Sequence, residues 1–174
     1  VDIVSKFDGF IYTVGIEGTF PLKSASHEKL IKYYNINTIS LHIALNFFSK
    51  RKVSRDSSSI VVISSIMSTV GASGKSVYSA SKSSISGLVR SSALELSTRK
   101  IRVNAISPGL ILTEMGNALL DRMSNNDQQI LLKEYPLGFG KSEYVTDLIL
   151  FLLSEKSIWI TGQNLIIDGG YTIK

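Results

Sequence analysis

The run from Ile60 to Ser64 constrains the fold of this chain more than any other stretch. Its four apolar residues are all β-branched and no polar residue interrupts them before Ser64. A strand with one face in water alternates apolar and polar residues, whereas a strand buried on both faces reads as a continuous apolar run. Strands of that kind belong to parallel sheets covered by helices on both sides. The run therefore predicts an α/β fold with a parallel sheet.

The rest of the chain repeats this pattern of short strands and longer helices. Ser26 is expected to cap a helix that ends near Lys50. A second helix, Ser76 to Leu96, is rich in serine, and Ser142 is expected to cap a third. Strands are predicted at Phe10 to Val14, Arg102 to Ile106 and Leu165 to Ile167, and short helices between Thr113 and Glu134. Alternation of this kind predicts one α/β domain over residues 1–174.

Composition excludes several classes of protein. None of the 174 residues is cysteine, so disulfide and thiolate chemistry is excluded, and a reducing, cytoplasmic location is expected. The two histidines do not have the spacing of zinc ligands, and no apolar run is long enough to cross a bilayer. Among the scattered basic residues, only Lys50, Arg51, Lys52 and Arg55 cluster. A solvated loop is the favoured interpretation of this cluster, and an anion or nucleic-acid patch is the alternative.

One interpretation of the loop before the serine-rich helix is a phosphate-binding loop. "GASGKS", from Gly71 to Ser76, follows a strand and precedes a helix, and Asp168 would supply the magnesium ligand. That motif requires a glycine five positions before the Gly-Lys pair, where the backbone turns around phosphate. Thr69 occupies that position, and Gly71 comes two residues too late. The spacing disfavours this interpretation.

The second interpretation rests on Tyr78 and Lys82, which stand four residues apart on one face of the serine-rich helix. A free tyrosine has a pKa near 10 and exchanges protons poorly at neutral pH. A nearby ammonium stabilises the phenolate and lowers that pKa, and the positive end of the helix dipole does the same. The pair is thus a candidate general acid–base catalyst, although an isolated Tyr–Lys pair is more often a surface contact.

The surrounding motifs resemble the classical short-chain dehydrogenase/reductase family. "IVVISSIMSTVGASGKSVYSASKSSISGLV" matches its active-site segment, in which a serine precedes the tyrosine by thirteen residues. "FDGFIYTVG", "YYNINTIS" and "IRVNAISPGLILTEM" match three further motifs in the family's order. "YPLGFGKSEYVTDLILFLLSEKSIWITGQNLIIDGGYT" resembles its closing segment, most closely in the 3-oxoacyl-(acyl-carrier-protein) reductase branch. The resemblance covers nearly all of the chain.

The resemblance implies a role for each matching residue. Tyr78 would exchange a proton with the substrate oxygen, Ser65 would hold that oxygen, and Lys82 would lower the pKa of Tyr78 and bind the nicotinamide ribose. Asn37 would order a water linking Lys82 to solvent. The residues expected to contact the nicotinamide end of NAD or NADP are Gly15, Tyr78, Lys82, Pro108, Gly109, Ile111 and Thr113. Leu110 to Tyr135, with Met115, Leu119, Leu120 and Met123, would form an apolar lid that selects a small carbonyl or alcohol substrate.

Other expectations follow from the departures from the family pattern. Tyr12, Thr13 and Val14 replace the usual Asn-Asn-Ala, and Phe139 stands where arginine is common. No Gly-x-x-x-Gly-x-Gly spacing occurs in the chain, so the chain is expected to form the later, catalytic part of a Rossmann-type doubly wound fold, without the family's first strands. Neither NAD nor NADP is favoured. The resemblance implies a homodimer or homotetramer, and a truncated, non-catalytic interaction module remains the alternative.

Overall fold

The sheet consists of four parallel strands in the order β1-β2-β3-β4. The structure is a computed structural model that describes residues 5–173; the predicted domain limits, Val1 and Lys174, lie outside the described residues. The strands are β1 (Phe7–Tyr12), β2 (Ser54–Ile63), β3 (Arg102–Pro108) and β4 (Asn164–Ile167). The predicted α/β class with a parallel sheet is confirmed.

Helices connect the strands in the expected places. Ser26 caps the first of them, accepting a hydrogen bond from the Lys29 amide at 3.4 Å. Ser142 is not a cap, because Lys141 holds that position and its side chain makes no capping bond. The helices are α1 (His27–Tyr34), α2 (Ser40–Phe48), α3 (Ser76–Leu96), α4 (Glu114–Leu120), α5 (Asn125–Lys133) and α6 (Ser142–Leu153).

Helices cover the sheet on both faces, as a doubly wound fold requires. On one face α2 and α3 pack against the strands through a core that includes Leu41, Leu45, Ile85 and Val89. On the other face α6 contributes Ile149 and Leu152 to a smaller core. The central strand residues Ile60 to Val62 are fully buried between the two cores, which explains their continuous apolar run.

Two strands begin at least three residues earlier than the sequence predicts. β1 runs from Phe7 to Tyr12 rather than from Phe10 to Val14, and β2 begins at Ser54 rather than Ile60. The register between them jumps from Phe7–Ser54 to Gly9–Ser59. The extra residues of β2 form a bulge, from which Arg55 donates to Asp8 at 3.1 Å. Part of the basic cluster is therefore an exposed, ion-paired strand start rather than a loop.

The outer edge of β1 is open in the described part of the chain. Phe7 is 50% exposed and Ile11 is 44% exposed, and a groove of about 480 Å³ lies beside them, lined also by Phe47 and Leu153. An unpaired, apolar edge of a parallel sheet is prone to pair with another strand.

Candidate active site

The carboxyl ends of the parallel strands bring the candidate residues to one edge of the sheet. Gly15 follows β1, Ser65 follows β2, and Pro108 ends β3. Tyr78 lies in the first turn of α3, the helix that follows β2. Ligands of open α/β sheets bind at this edge, where the loops after the strands meet.

Asn37 is fully buried and fixes the loop that follows β1. Its Oδ1 accepts a hydrogen bond from the Ile16 amide at 2.8 Å. Its Nδ2 donates to the Ile16 carbonyl at 3.0 Å and to the Ser81 hydroxyl at 2.9 Å. Both amide protons are therefore used within the protein. A water ordered by Asn37 would have to bind one of this residue's oxygen atoms.

A π-helical turn, Asn35–Ile39, carries Asn37 between α1 and α2. The sequence predicted one uninterrupted helix here, because its apolar spacing continues through the turn. π-Helical turns inside α-helices are rare and occur often at functional sites. Nothing in the local residue pattern indicates the widened turn.

Lys82 lies inside the protein, at the end of β2. Its Nζ donates to the Ile63 carbonyl at 3.1 Å, and the residue is 4% exposed. Burial lowers the pKa of Lys82 to about 8. A methyl group placed on Gly15 would lie 3.0 Å from this Nζ and 3.4 Å from Asn37 Oδ1, so the glycine keeps space open beside the ammonium.

The pKa of Tyr78 is raised, whereas the sequence led us to expect that Lys82 would lower it. Burial is the largest cause, because the tyrosine is only 9% exposed. A hydrogen bond with Ser65 lowers the pKa, and the carboxylate of Glu17 raises it further. The Tyr78 hydroxyl is therefore protonated at neutral pH.

Serines of α3 join this helix to the segment that holds Asn37. Ser81 receives the hydrogen bond from Asn37, and Ser84 lies 3.0 Å from the Thr38 hydroxyl. Thr38 also donates to the Ser81 carbonyl at 3.0 Å. Close approach of two helix segments requires small side chains, and these hydroxyls satisfy each other at the contact.

Other serines of α3 tie it to the ends of the strands. Ser83 donates to the carbonyl of Ser68 at 2.9 Å, which fixes the turn after Ser65. Ser86 accepts from Asn164 of β4 at 3.1 Å. The serine content of this helix thus has an explanation within one chain, in addition to the contact between subunits that the family resemblance implies. Exposed Gly87 and Ser91 remain free for such a contact.

The residues expected at the nicotinamide end follow β3. Gly109 donates to the Ile167 carbonyl at 2.9 Å, and a methyl group on it would lie 2.9 Å from both Asp168 Cα and a ring carbon of Tyr135. Ile111 bridges to Gly140. Thr113 caps α4 by accepting from the Gly116 amide at 3.3 Å, which is a structural role for its hydroxyl.

The predicted lid consists of α4, α5 and the turns around them. Met115 is 49% exposed, Leu119 and Met123 are half-buried, and Leu120 is buried. Leu120 therefore anchors α4, while Met115 offers an apolar surface.

The phosphate-loop interpretation gains no support. Lys75, which would have to reach the phosphate, instead forms an ion pair with Glu17. Asp168 accepts the amides of Gly170 and Thr172 at 3.0 and 2.8 Å, so its carboxylate holds a turn. The sequence did not single out Glu17, since a lone acidic residue in a loop carries no spacing signal.

Residues 5–173 contain neither a cluster of metal-binding side chains nor a membrane-spanning helix. The side chains of His, Asp and Glu do not gather into a group of three that could hold a metal ion. None of the helices in this range is both long and apolar enough to cross a membrane.

A parallel sheet covered by helices on both faces defines a doubly wound α/β protein. Ser65, Tyr78, Lys82 and Asn37 form its candidate site at the carboxyl edge of the sheet. Comparison with known proteins identifies the family within this class. Residues 1–172 match the family profile described as enoyl-(acyl carrier protein) reductase. The chain belongs to the short-chain dehydrogenase/reductase family.

The names of proteins similar to this chain refer to different substrates. A 3-oxoacyl-[acyl-carrier-protein] reductase of Thermotoga maritima is 33% identical over 97% of this chain and 67% of its own length. A short-chain dehydrogenase family protein from Francisella tularensis has a TM-score of 0.89 at 29% identity, covering 98% of this chain and 73% of its own. A 4-hydroxyisoleucine dehydrogenase complexed with NADH has a TM-score of 0.88 at 28% identity, over 96% of this chain and 69% of its own. The chain thus spans about two thirds of the length of the relatives it matches.

Proposed function

We propose that Tyr78 is the general acid–base of a reversible hydride transfer between a nicotinamide cofactor and a carbonyl or secondary alcohol. The observation that carries this proposal is the grouping of Tyr78 with Ser65, Lys82 and Asn37 at the carboxyl edge of the sheet. In the reducing direction, the carbonyl carbon receives the hydride while the Tyr78 hydroxyl gives its proton to the oxygen, which yields the alcohol.

At neutral pH the Tyr78 phenol carries the proton that this direction requires. Burial raises its pKa and makes it a weak acid, so donation depends on groups that stabilise the phenolate. Ser65 would hold that oxygen through its hydroxyl and stabilise its developing charge. Lys82, whose ammonium is held at the end of β2, would support the phenolate that remains.

The described residues fit only one end of the cofactor. Gly15 leaves room beside Lys82 for a ribose hydroxyl, and the tight turn at Gly109 places backbone near the same edge. Pro108, Ile111 and Thr113 would line the nicotinamide. The nicotinamide, when bound, supplies or accepts the hydride. The sequence contains no Gly-x-x-x-Gly-x-Gly loop, the kind that seats the pyrophosphate in this family, and NAD and NADP remain equal candidates.

The proposed substrate class is small carbonyl compounds, including 3-oxoacyl thioesters. Support comes from the similarity to a 3-oxoacyl-[acyl-carrier-protein] reductase and from the apolar surface of α4 around Met115. The similarity to a 4-hydroxyisoleucine dehydrogenase keeps other alcohols within the class. The chain would act in the cytoplasm, without nucleic-acid or membrane partners.

We also propose that the protein is a homodimer or homotetramer that associates through α2 and α3. Ile39, Ile43 and Phe47, spaced four residues apart along α2 and the turn before it, are 48%, 65% and 44% exposed, and Leu94 of α3 is 76% exposed. Contiguous exposed apolar patches commonly mark contacts between proteins. The alternative to an enzyme is a non-catalytic chain that keeps only this interaction surface.

Replacement of Tyr78 by phenylalanine separates the two functions. Phenylalanine keeps the ring in its apolar cluster with Val77 and Tyr33 but cannot donate a proton. We expect turnover of the full gene product, followed by nicotinamide absorbance with 3-oxoacyl and simple ketone substrates, to fall by at least about 10²-fold. Unfolding by urea should change little. Equal turnover of the unmodified protein and the Tyr78→Phe variant would contradict the proposed mechanism. If neither protein turned over a substrate, the result would favour the non-catalytic interaction module.

A further inference from the structure

Two charged side chains lie beside Tyr78 and have no place in the proposed reaction. Glu17, in the loop after β1, forms an ion pair with Lys75, the residue before α3. Their side chains are only 14% and 11% exposed. Glu17 also accepts a hydrogen bond from the Thr19 hydroxyl at 3.1 Å. Charged side chains are rarely buried unless they are paired, so the pair depends on both partners.

The ion pair joins two segments that meet at Tyr78. The Phe20 amide donates to the Gly74 carbonyl at 3.0 Å, next to the pair. The Lys75 Nζ lies 5.8 Å from the centre of the Tyr78 ring. Ile16 and Phe20 of the same loop pack against the cluster that contains Tyr78. The loop from Gly15 to Phe20 is thus fastened to α3 on one side and to Asn37 on the other.

We propose that Glu17 and Lys75 are positioning residues, whose ion pair holds the loop from Gly15 to Phe20 against Tyr78 and limits access to its hydroxyl. The inference rests on the role proposed for Tyr78. A substrate that reaches the hydroxyl must then pass a loop that one ion pair and one backbone hydrogen bond hold against the α3 side. Loops that cover acid–base groups exclude water and commit the substrate when they close.

The physical argument is the cost of an unpaired buried charge. Loss of the Glu17 carboxylate leaves the Lys75 ammonium without its partner at a site that is only 11% exposed. An unpaired buried charge is strongly unfavourable, and the loop can relieve it by opening towards water. The same holds for Glu17 when Lys75 loses its charge. Asn37 lies at the other end of the loop and keeps its hydrogen bonds to Ile16 in either case.

Chemical modification of tyrosine measures this access without requiring turnover. The chain is treated with N-acetylimidazole, which acetylates accessible phenols, and the rate at each tyrosine is read by mass spectrometry of peptides. Glu17→Gln and Lys75→Met should each raise the rate at Tyr78 by at least about tenfold, because local opening sets the rate at a buried group. Glu95→Gln and Lys32→Met, which change exposed residues elsewhere, should leave it unchanged.

Tyr12 provides an internal reference because it is 8% exposed in the main core. The proposal is supported if the acetylation rate increases at Tyr78 but not at Tyr12, and if the double variant Glu17→Lys with Lys75→Glu restores the original rate at Tyr78. Unchanged modification of Tyr78 in both single variants would overturn it. So would an equal increase at Tyr12, which would mean that the pair supports the whole fold. The Tyr78→Phe turnover experiment decides the proposed function separately.

Discussion

Replacing Lys82 by methionine tests the environment of the candidate active site without any substrate. The ammonium of Lys82 is held at the end of β2, where the residue is 4% exposed. Burial lowers its pKa from 10.5 to about 8 in the folded protein. The unfolded chain returns the side chain to water and to its ordinary pKa. Folding therefore disfavours the protonated, charged form of Lys82.

The sign of the pH effect follows from proton binding. Between about pH 8 and pH 10.5 the unfolded state binds more protons at Lys82 than the folded state does. Stability consequently rises with pH across this window, and the penalty is largest below it. With the two pKa values, the contribution of Lys82 should become about 2 kcal/mol more favourable between pH 7 and pH 9.5.

Lys82→Met should remove this pH dependence while conserving the length of the side chain. The unpaired Ile63 carbonyl costs about 1–3 kcal/mol, but that cost does not vary with pH, so the difference in slope isolates the ammonium. The assay is urea unfolding followed by circular dichroism at several pH values. Lys133→Met, at an exposed position of α5, is the control and should keep the slope of the unmodified chain. If Lys82→Met also keeps that slope, the lysine is hydrated and its assigned burial is wrong.

Three further predictions concern packing, cofactor and assembly. Gly109→Ala should destabilise the chain by about 1–3 kcal/mol, because the new methyl group would meet Asp168 and Tyr135. The methyl group of Gly87→Ala meets no neighbour, so this change should stabilise α3 by about 0.5–1 kcal/mol. Urea unfolding measures the free energy of both variants. Calorimetric titration should find weaker than micromolar binding of NAD(H) and NADP(H) by these 174 residues, and micromolar binding would contradict the need for a pyrophosphate loop. Sedimentation at micromolar concentration should show more than a monomer, with Leu94→Glu weakening the association.

Much of the candidate site was predicted from sequence because its signals are local or have fixed spacing. Tyr78 and Lys82 share a helix face through their four-residue spacing, and Ser65 follows a strand that its β-branched residues made recognisable. The parallel arrangement then brings both to one sheet edge. The same reasoning misplaced β1 and the start of β2, because the bulge between Ser54 and Ser59 is specified by pairing with Phe7 and Gly9 rather than by local pattern.

The sequence alone determined the alternation of buried strands and helices, and with it the α/β class and the edge of the sheet where the site lies. Tertiary structure decided what surrounds each group there. The pKa of Tyr78 is raised because neighbouring segments exclude water from it. The spacing of Tyr78 and Lys82 in the sequence had predicted a lowered pKa. Asn37, in the π-helical turn, accepts a hydrogen bond from Ile16, which lies 21 positions away in the chain. Glu17 pairs with Lys75, which lies 58 positions away. Burial and long-range pairing depend on how complete elements pack, and no window of local sequence contains that information.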